Sequence, residues 1–211
     1  MRPDFRPWTS AVHRSRTCHP RTKRSRTFGA MRIVGGSLGG RVLRAPAGAA
    51  TRPTSEKVRQ AIFNILPDAE GAHVLDVFAG SGALGIEALS RGAAHATFFE
   101  TAKPALAAVR ANLHELALDD RATVLAGDAV SLAARHAPLA PYRLVFIDPP
   151  YRSDLAVRAA QALAPANLAA DAVIVIEHDR RNAPPDELGS LLRTDQRRYG
   201  DTLVSFYRVR T

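Results

Sequence analysis

From Met31 onward the chain switches repeatedly between two hydrophobic periods. Short apolar runs at His73–Phe78, Ala96–Phe99, Ala122–Ala126, Leu144–Ile147 and Ala172–Glu177 predict strands. Between them Gly82–Arg91, Lys103–Leu116, Ala129–Arg135 and Asp154–Ala164 carry helical spacing. Apolar runs separated by helices are what parallel strands look like when both faces are buried. The end of the chain differs. Arg197–Tyr199 and Leu203–Val209 surround Gly200-Asp201, which predicts an antiparallel hairpin. At the front, Met31–Val34 and Arg41–Leu43 flank the segment Gly35–Gly40 and predict a small hairpin. Thr54 or Ser55 can cap a helix that runs to about Leu66 and stops at Pro67. In that helix Val58, Ala61, Ile62 and Ile65 form an apolar stripe, with Lys57, Arg59, Gln60 and Asn64 on the polar side. The prediction is a mostly parallel α/β sheet with an antiparallel terminal strand, preceded by a hairpin and helix over residues 31–66.

Composition narrows the field without changing this picture. With 211 residues, 46% hydrophobic and 23% charged, the chain suits one domain and a short appendage. No apolar run is long enough to span a bilayer. Cys18 is the only cysteine and the seven histidines lack metal-ligand spacing, so no disulfide and no metal site is expected. A reducing, cytoplasmic compartment follows. The net charge of +9 is unevenly spread. Residues 1–30 hold eight basic residues against Asp4, giving +7, whereas residues 31–211 hold 21 against 19, giving +2. The first segment lacks hydrophobic periodicity and reads as a basic, disordered tail. It has no apolar core of a secretory signal, a transit peptide stays open, and so do an upstream-assigned start and a functional arm. Three lysines stand against 26 arginines, which points to coding bias and discounts the arginine count. Position says more: Arg32, Arg41, Arg44, Arg52, Lys57 and Arg59 face Glu56 alone, a local +5 suited to phosphate or to a solvated face.

The segment Val74-Leu75-Asp76-Val77-Phe78-Ala79-Gly80-Ser81-Gly82-Ala83-Leu84-Gly85 predicts strand, glycine turn and helix start. Gly80, Gly82 and Gly85 satisfy G-x-G-x-x-G, with Glu100 ending the next strand, so a dinucleotide is one reading and a merely tight turn another. Asp76 argues against the dinucleotide, because a carboxylate at that strand end repels a pyrophosphate. It suits a cationic ligand without phosphate, such as the amino group and sulfonium of S-adenosylmethionine. Glu100 can then accept both ribose hydroxyls and Asp128 the adenine amino group. These acids stand at the ends of three successive strands, where open α/β sheets bind ligands.

Val145-Phe146-Ile147-Asp148-Pro149-Pro150-Tyr151 ends the fourth strand in a stiff turn. Its chemistry fits an exocyclic amine of a nucleobase, a poor nucleophile whose lone pair is delocalised. The Asp148 carboxylate and the Pro149 carbonyl would accept its two N–H bonds, making the nitrogen more electron-rich. Tyr151 offers a stacking face to a base that must be unpaired or flipped. Methyl transfer is then an in-line displacement. No cysteine lies in the core, so thiolate attack on a pyrimidine is excluded.

These features resemble the class I S-adenosylmethionine-dependent methyltransferases. One family is especially similar: the bacterial 16S rRNA guanine-N2 methyltransferases of the RsmD type. The segments that carry the resemblance are Met31-Arg32-Ile33-Val34-Gly35-Gly36 with Gly40-Arg41-Val42-Leu43, and Arg52-Pro53-Thr54 leading to Arg59-Gln60-Ala61-Ile62-Phe63-Asn64. The Leu75–Gly82 loop, the Asp148–Tyr151 turn and Tyr199-Gly200-Asp201-Thr202 continue it. The resemblance implies a Rossmann-like class I methyltransferase sheet over residues 31–211 and methylation of a guanine N2 in small-subunit rRNA, within a 30S assembly intermediate, by a monomer. Asp76, Phe78, Ala79, Gly80, Gly82, Glu100 and Asp128 would line the cofactor site. Asp148, Pro149 and Tyr151 would be catalytic, and Arg41, Arg52, Arg59 and Tyr151 would contact RNA. Adenine-N6 methylation of DNA or RNA and, more distantly, an NAD-dependent reductase remain as alternatives.

Overall fold

The computed structural model describes residues 31–47, 56–150 and 154–210. Thr54 and Ser55, the expected caps of the first helix, fall outside these. The first element is α1 (Glu56–Ile65). Then come β1 (His73–Val77), α2 (Ala83–Ser90), β2 (His95–Glu100), α3 (Lys103–Glu115), β3 (Ala122–Ala126), α4 (Ala129–Arg135), β4 (Tyr142–Ile147) and α5 (Leu155–Ala162). The chain closes with β5 (Leu168–Asp179), β6 (Glu187–Leu188), β7 (Leu191–Tyr199) and β8 (Thr202–Val209). One sheet takes all eight strands in the order β3-β2-β1-β4-β5-β8-β7-β6. The pairs β3–β2, β2–β1, β1–β4 and β4–β5 are parallel, and β8, β7 and β6 add on antiparallel. This is the Rossmann-like sheet that the sequence pattern predicts.

Strand alternation divides the core into two layers. Val74, Phe98, Leu144, Phe146, Val173 and Val175 pack with Ile62 and Phe63 of α1, Ile86 and Leu89 of α2, and Val109 and Leu113 of α3. Their neighbours Leu75, Val77, Phe99, Val145, Ile147, Ile174 and Ile176 pack with small residues of α4 and α5, among them Ala133 and Ala159. Both faces being covered explains why the central strands read as unbroken apolar runs.

Three differences from the sequence reading have physical causes. First, α1 buries Val58, Arg59, Ile62 and Phe63, while Ile65 is 41% exposed. The stripe is rotated because Arg59 finds an ion pair inside, which periodicity of apolar residues cannot anticipate. Second, β7 starts at Leu191 rather than Arg197 and β6 was not foreseen. These strands are held by pairing with a neighbour, and their mostly exposed side chains carry little apolar alternation. Third, the front hairpin reduces to one bridge, Arg32–Val42, closed by Ile33 N donating to Arg41 O (2.9 Å) and Leu43 N to Met31 O (2.8 Å). Among the described residues no helix is long and apolar enough to cross a membrane.

Candidate active site

The glycine turn after β1 is a backbone construction. Phe78, which is not glycine, takes φ 87°, and its N–H and that of Ala79 both donate to Phe99 O (3.2 and 3.0 Å). Such a conformation costs of order 1–3 kcal/mol and persists where the surroundings impose it, as they do beside binding sites. At Gly82 φ is 80°, and a Cβ there would come within 2.6 Å of Val109 Cγ2. At Gly85 a Cβ would meet the Phe98 ring at 2.4 Å. Two of the three motif glycines are therefore required by the packing of α2 and α3 on β2.

The acids of the site prove to be structural as well. Asp76 is 2% exposed, and its Oδ2 accepts from Gly85 N (2.9 Å) in the first turn of α2. Burial pushes its carboxyl up to about 7, against the opposing effect of the Gly85 N–H, with the nearby negative Glu100 adding to the rise. Glu100 Oε2 accepts from Gly80 N, and its Oε1 accepts from Thr101 N and Ala102 N, each at 2.8 Å. It thus clamps the glycine turn to the end of β2. Asp128 is exposed and caps α4 by accepting from Ser131 N (2.8 Å), a bond that holds its carboxyl below the usual range. All three stand at or beyond the carboxyl ends of adjacent strands, and Gly127 N donates to Glu100 O (2.9 Å) to tie the last two together.

Asp148 is brought to the same edge by register. β1 and β4 run parallel with Asp76 level with Phe146, so Asp148, following the end of β4, leaves the sheet at the same edge as the glycine turn. Asp148 and Pro149 are half-buried and Pro150 is exposed. Tyr151 and Arg52 lie outside the described residues. Arg41 is exposed on the hairpin.

Arg59 is a correction. It was expected on a polar face open to RNA, but it is fully buried. Its guanidinium lies 3.4 Å from the Glu87 carboxylate, also fully buried, and donates to the Arg32 carbonyl. Burial lowers its affinity for the proton, and Glu87 and Glu56 counter that. Because Arg59 is spent inside, it offers nothing to a phosphate in this structure.

Sequence reasoning missed Glu87. It accepts from Val34 N (2.7 Å), Gly35 N (2.8 Å) and Arg91 Nε (2.8 Å) besides Arg59, so it joins α1, α2 and the hairpin. The available signal was a lone acid in the apolar helix ALGIEALS. Asn112 was missed too. Its amide accepts from Arg44 N (2.7 Å) and donates to Arg44 O (3.0 Å) and Ser81 O (2.9 Å), bolting the hairpin to the glycine turn.

A doubly covered parallel sheet, a strained strand-to-helix turn and an acid-lined carboxyl edge with an Asp-Pro-Pro corner define a class I methyltransferase. The comparisons agree. The family model described as "Conserved hypothetical protein 95" matches residues 31–208. "Putative rRNA methyltransferase YlbH" of Bacillus subtilis is 42% identical over 184 residues, covering 85% of this chain and 100% of that protein. "Ribosomal RNA small subunit methyltransferase D" of Escherichia coli is 40% identical over 159 residues, covering 74% of this chain and 79% of that protein. The solved structure "Putative methyltransferase yhhF from Escherichia coli" superposes with a TM-score of 0.74 at 34% identity, covering 87% of this chain and 99% of its own. The chain belongs to this family, that of the RsmD-type methyltransferases.

Proposed function

We propose that this protein methylates the N2 amine of one guanine in 16S rRNA, with S-adenosylmethionine as donor. The reading joins the relatives' activity on ribosomal RNA, as their names state it, to the exit of Asp148 from the sheet at the same edge as the glycine turn. That parallel register of β1 and β4 is the observation that carries the proposal, since it supports an amine-binding corner beside the cofactor edge.

The residues fit the donor. When bound, S-adenosylmethionine supplies a methyl group made electrophilic by its sulfonium. Asp76, held neutral in part by burial, regains a reason to ionise when a cation lies against the turn. Glu100 has three backbone N–H groups on its two oxygens, which leaves Oε2 the better placed to accept a ribose hydroxyl. Asp128, exposed at the end of β3, accepts from the adenine amino group. Phe78, Ala79, Gly80 and Gly82 form the floor.

On the acceptor side, Asp148 and the Pro149 carbonyl take the two N–H bonds of the amine, and Tyr151 stacks on the base. Pro149 and Pro150 lack backbone donors and have fixed φ, so the acceptors are oriented before the base arrives. The substrate is the rRNA within a 30S assembly intermediate, met in the cytoplasm by a monomer. Arg41 and Arg52 approach that RNA.

The test is nucleoside analysis of 16S rRNA from a strain lacking this gene. Loss of one N2-methylguanosine, restored by the wild-type gene, is the expected result. An unchanged N2-methylguanosine content together with loss of N6-methyladenosine would overturn the guanine assignment.

A further inference from the structure

The loop after β5 and the turn between β7 and β8 come to the same sheet edge as the Asp148 corner. Ile147 is level with Ile176, so β5 runs on past the end of β4 to Asp179, which pairs with Thr202 at the start of β8. The loop carries Arg180 and Arg181, and Arg198 sits near the end of β7 just before the turn; all three are exposed. Elsewhere the arginines of this chain are often matched to acids, as in Arg44–Glu115, Arg143–Asp171, Arg193–Asp186 and Arg210–Glu187. Arg180, Arg181 and Arg198 make no ion pair among the described residues.

Acids stand beside these arginines, and Asp179 feels the positive charge of Arg181. Asp179 Oδ1 accepts from Arg181 N and Asn182 N, both at 2.8 Å, and this fixes the loop that presents the two arginines. Asp195 holds Arg197 (2.9 Å), and Asp201 lies in the turn itself. Arg198 Nε donates to Gly200 O (2.9 Å), which orients the guanidinium and leaves its terminal nitrogens for another partner. Exposed arginines gathered at a ligand edge favour a polyanion.

The hairpin holding Arg41 is placed differently. Its turn is anchored at the last residue of α2, through Ser37 N and Leu38 N on Ser90. That is the end of α2 away from the glycine turn. Arg180, Arg181 and Arg198 are the arginines that strand pairing itself brings to the edge of the Asp148 corner.

We propose that Arg180, Arg181 and Arg198 form a phosphate-binding rim that holds the RNA backbone beside the base entering the Asp148 corner. The inference rests on the RNA reading above. The three arginines stand over β5–β8, on the other side of the Asp148 corner from the acids of β1–β3, where an anionic acceptor strand would lie.

The full chain, the R180A/R181A and R180K/R181K variants, and R208A at the opposite edge (level with Val173) are compared in filter binding to a 16S rRNA transcript. Loss of two phosphate contacts lowers the slope of log affinity against log salt by about 1.4, so the wild-type advantage shrinks about sevenfold between roughly 50 and 200 mM salt. R180K/R181K keeps the slope, because a phosphate contact needs the charge. In methylation of 30S particles the alanine pair raises KM and leaves kcat and donor affinity unchanged. An unchanged slope in R180A/R181A, or an equal loss in R208A, overturns the rim. Failure of the wild type to methylate any rRNA refutes the proposed function instead, and the binding slopes still decide the rim.

Discussion

Replacing Asp76 by Asn makes a sharp test of how this site is built. The carboxyl is buried, bonded to Gly85 N, and its pKa is about 7 against an ordinary 3.8. Between those values the folded protein keeps a proton that the unfolded chain has released. Stability therefore falls as pH rises from about 4 to about 7 and is level above that. At 1.36 kcal/mol per pKa unit the ionised carboxylate costs about 4 kcal/mol in the donor-free protein at pH 8. An asparagine oxygen can accept the same Gly85 N–H without the charge. The Asp76→Asn variant should thus match the wild type near pH 4 and exceed it at pH 8, by about 8–16 °C in Tm for a domain of this size. It should also bind S-adenosylmethionine more weakly, since a cation over the turn is what compensates the buried charge. Thermal unfolding at about one-unit pH intervals, with calorimetric titration of the donor, reads both effects. A stability difference that stays constant from pH 4 to 8 would refute the argument, because then Asp76 does not titrate in that window.

Other outcomes follow from the same geometry. Asp148→Ala should abolish methyl transfer to 30S particles while calorimetry shows donor affinity nearly unchanged; retained turnover would remove Asp148 from the acceptor site. Glu87→Ala leaves Arg59 buried without its acid and should cost about 3–5 kcal/mol in urea unfolding, whereas the double variant R59M/E87L should recover most of that loss. A double variant no more stable than Glu87→Ala would show that the hairpin N–H bonds to Glu87, not the ion pair, dominate. Gly85→Ala brings a methyl to 2.4 Å from the Phe98 ring and should destabilise the fold by about 1–3 kcal/mol, seen as a lower midpoint of denaturation.

Much of the architecture was legible because the central strands are buried on both faces. Val74–Val77 and Leu144–Ile147 can only be apolar there, and alternating helices dictate parallel pairing. Short motifs marked the site for a similar reason. A turn needing positive φ writes glycine, as at Gly80 and Gly82, and a stiff corner writes proline, as at Pro149-Pro150. Where the chain is held by partners rather than by burial of apolar groups, the pattern was silent. The strand from Leu191 to Arg197 is sustained by hydrogen bonds to β8, and these are indifferent to side-chain identity.

The residues themselves thus determined the strand and helix sequence, the positions of the glycine turn and the proline corner, and the membership of the acid series at strand ends. Only the folded chain decided what each charged group is for. Arg59, polar by type, went inward because Glu87 and the Arg32 carbonyl wait 28 and 27 positions away in the chain. Glu100 and Asp76 turned out to hold the backbone of the turn, and Arg180 came to the same sheet edge as Asp148 through strand pairing alone. A local pattern reports burial and turn geometry, since both act on neighbours along the chain. Charge pairing acts between residues distant in sequence, so its outcome is set by topology.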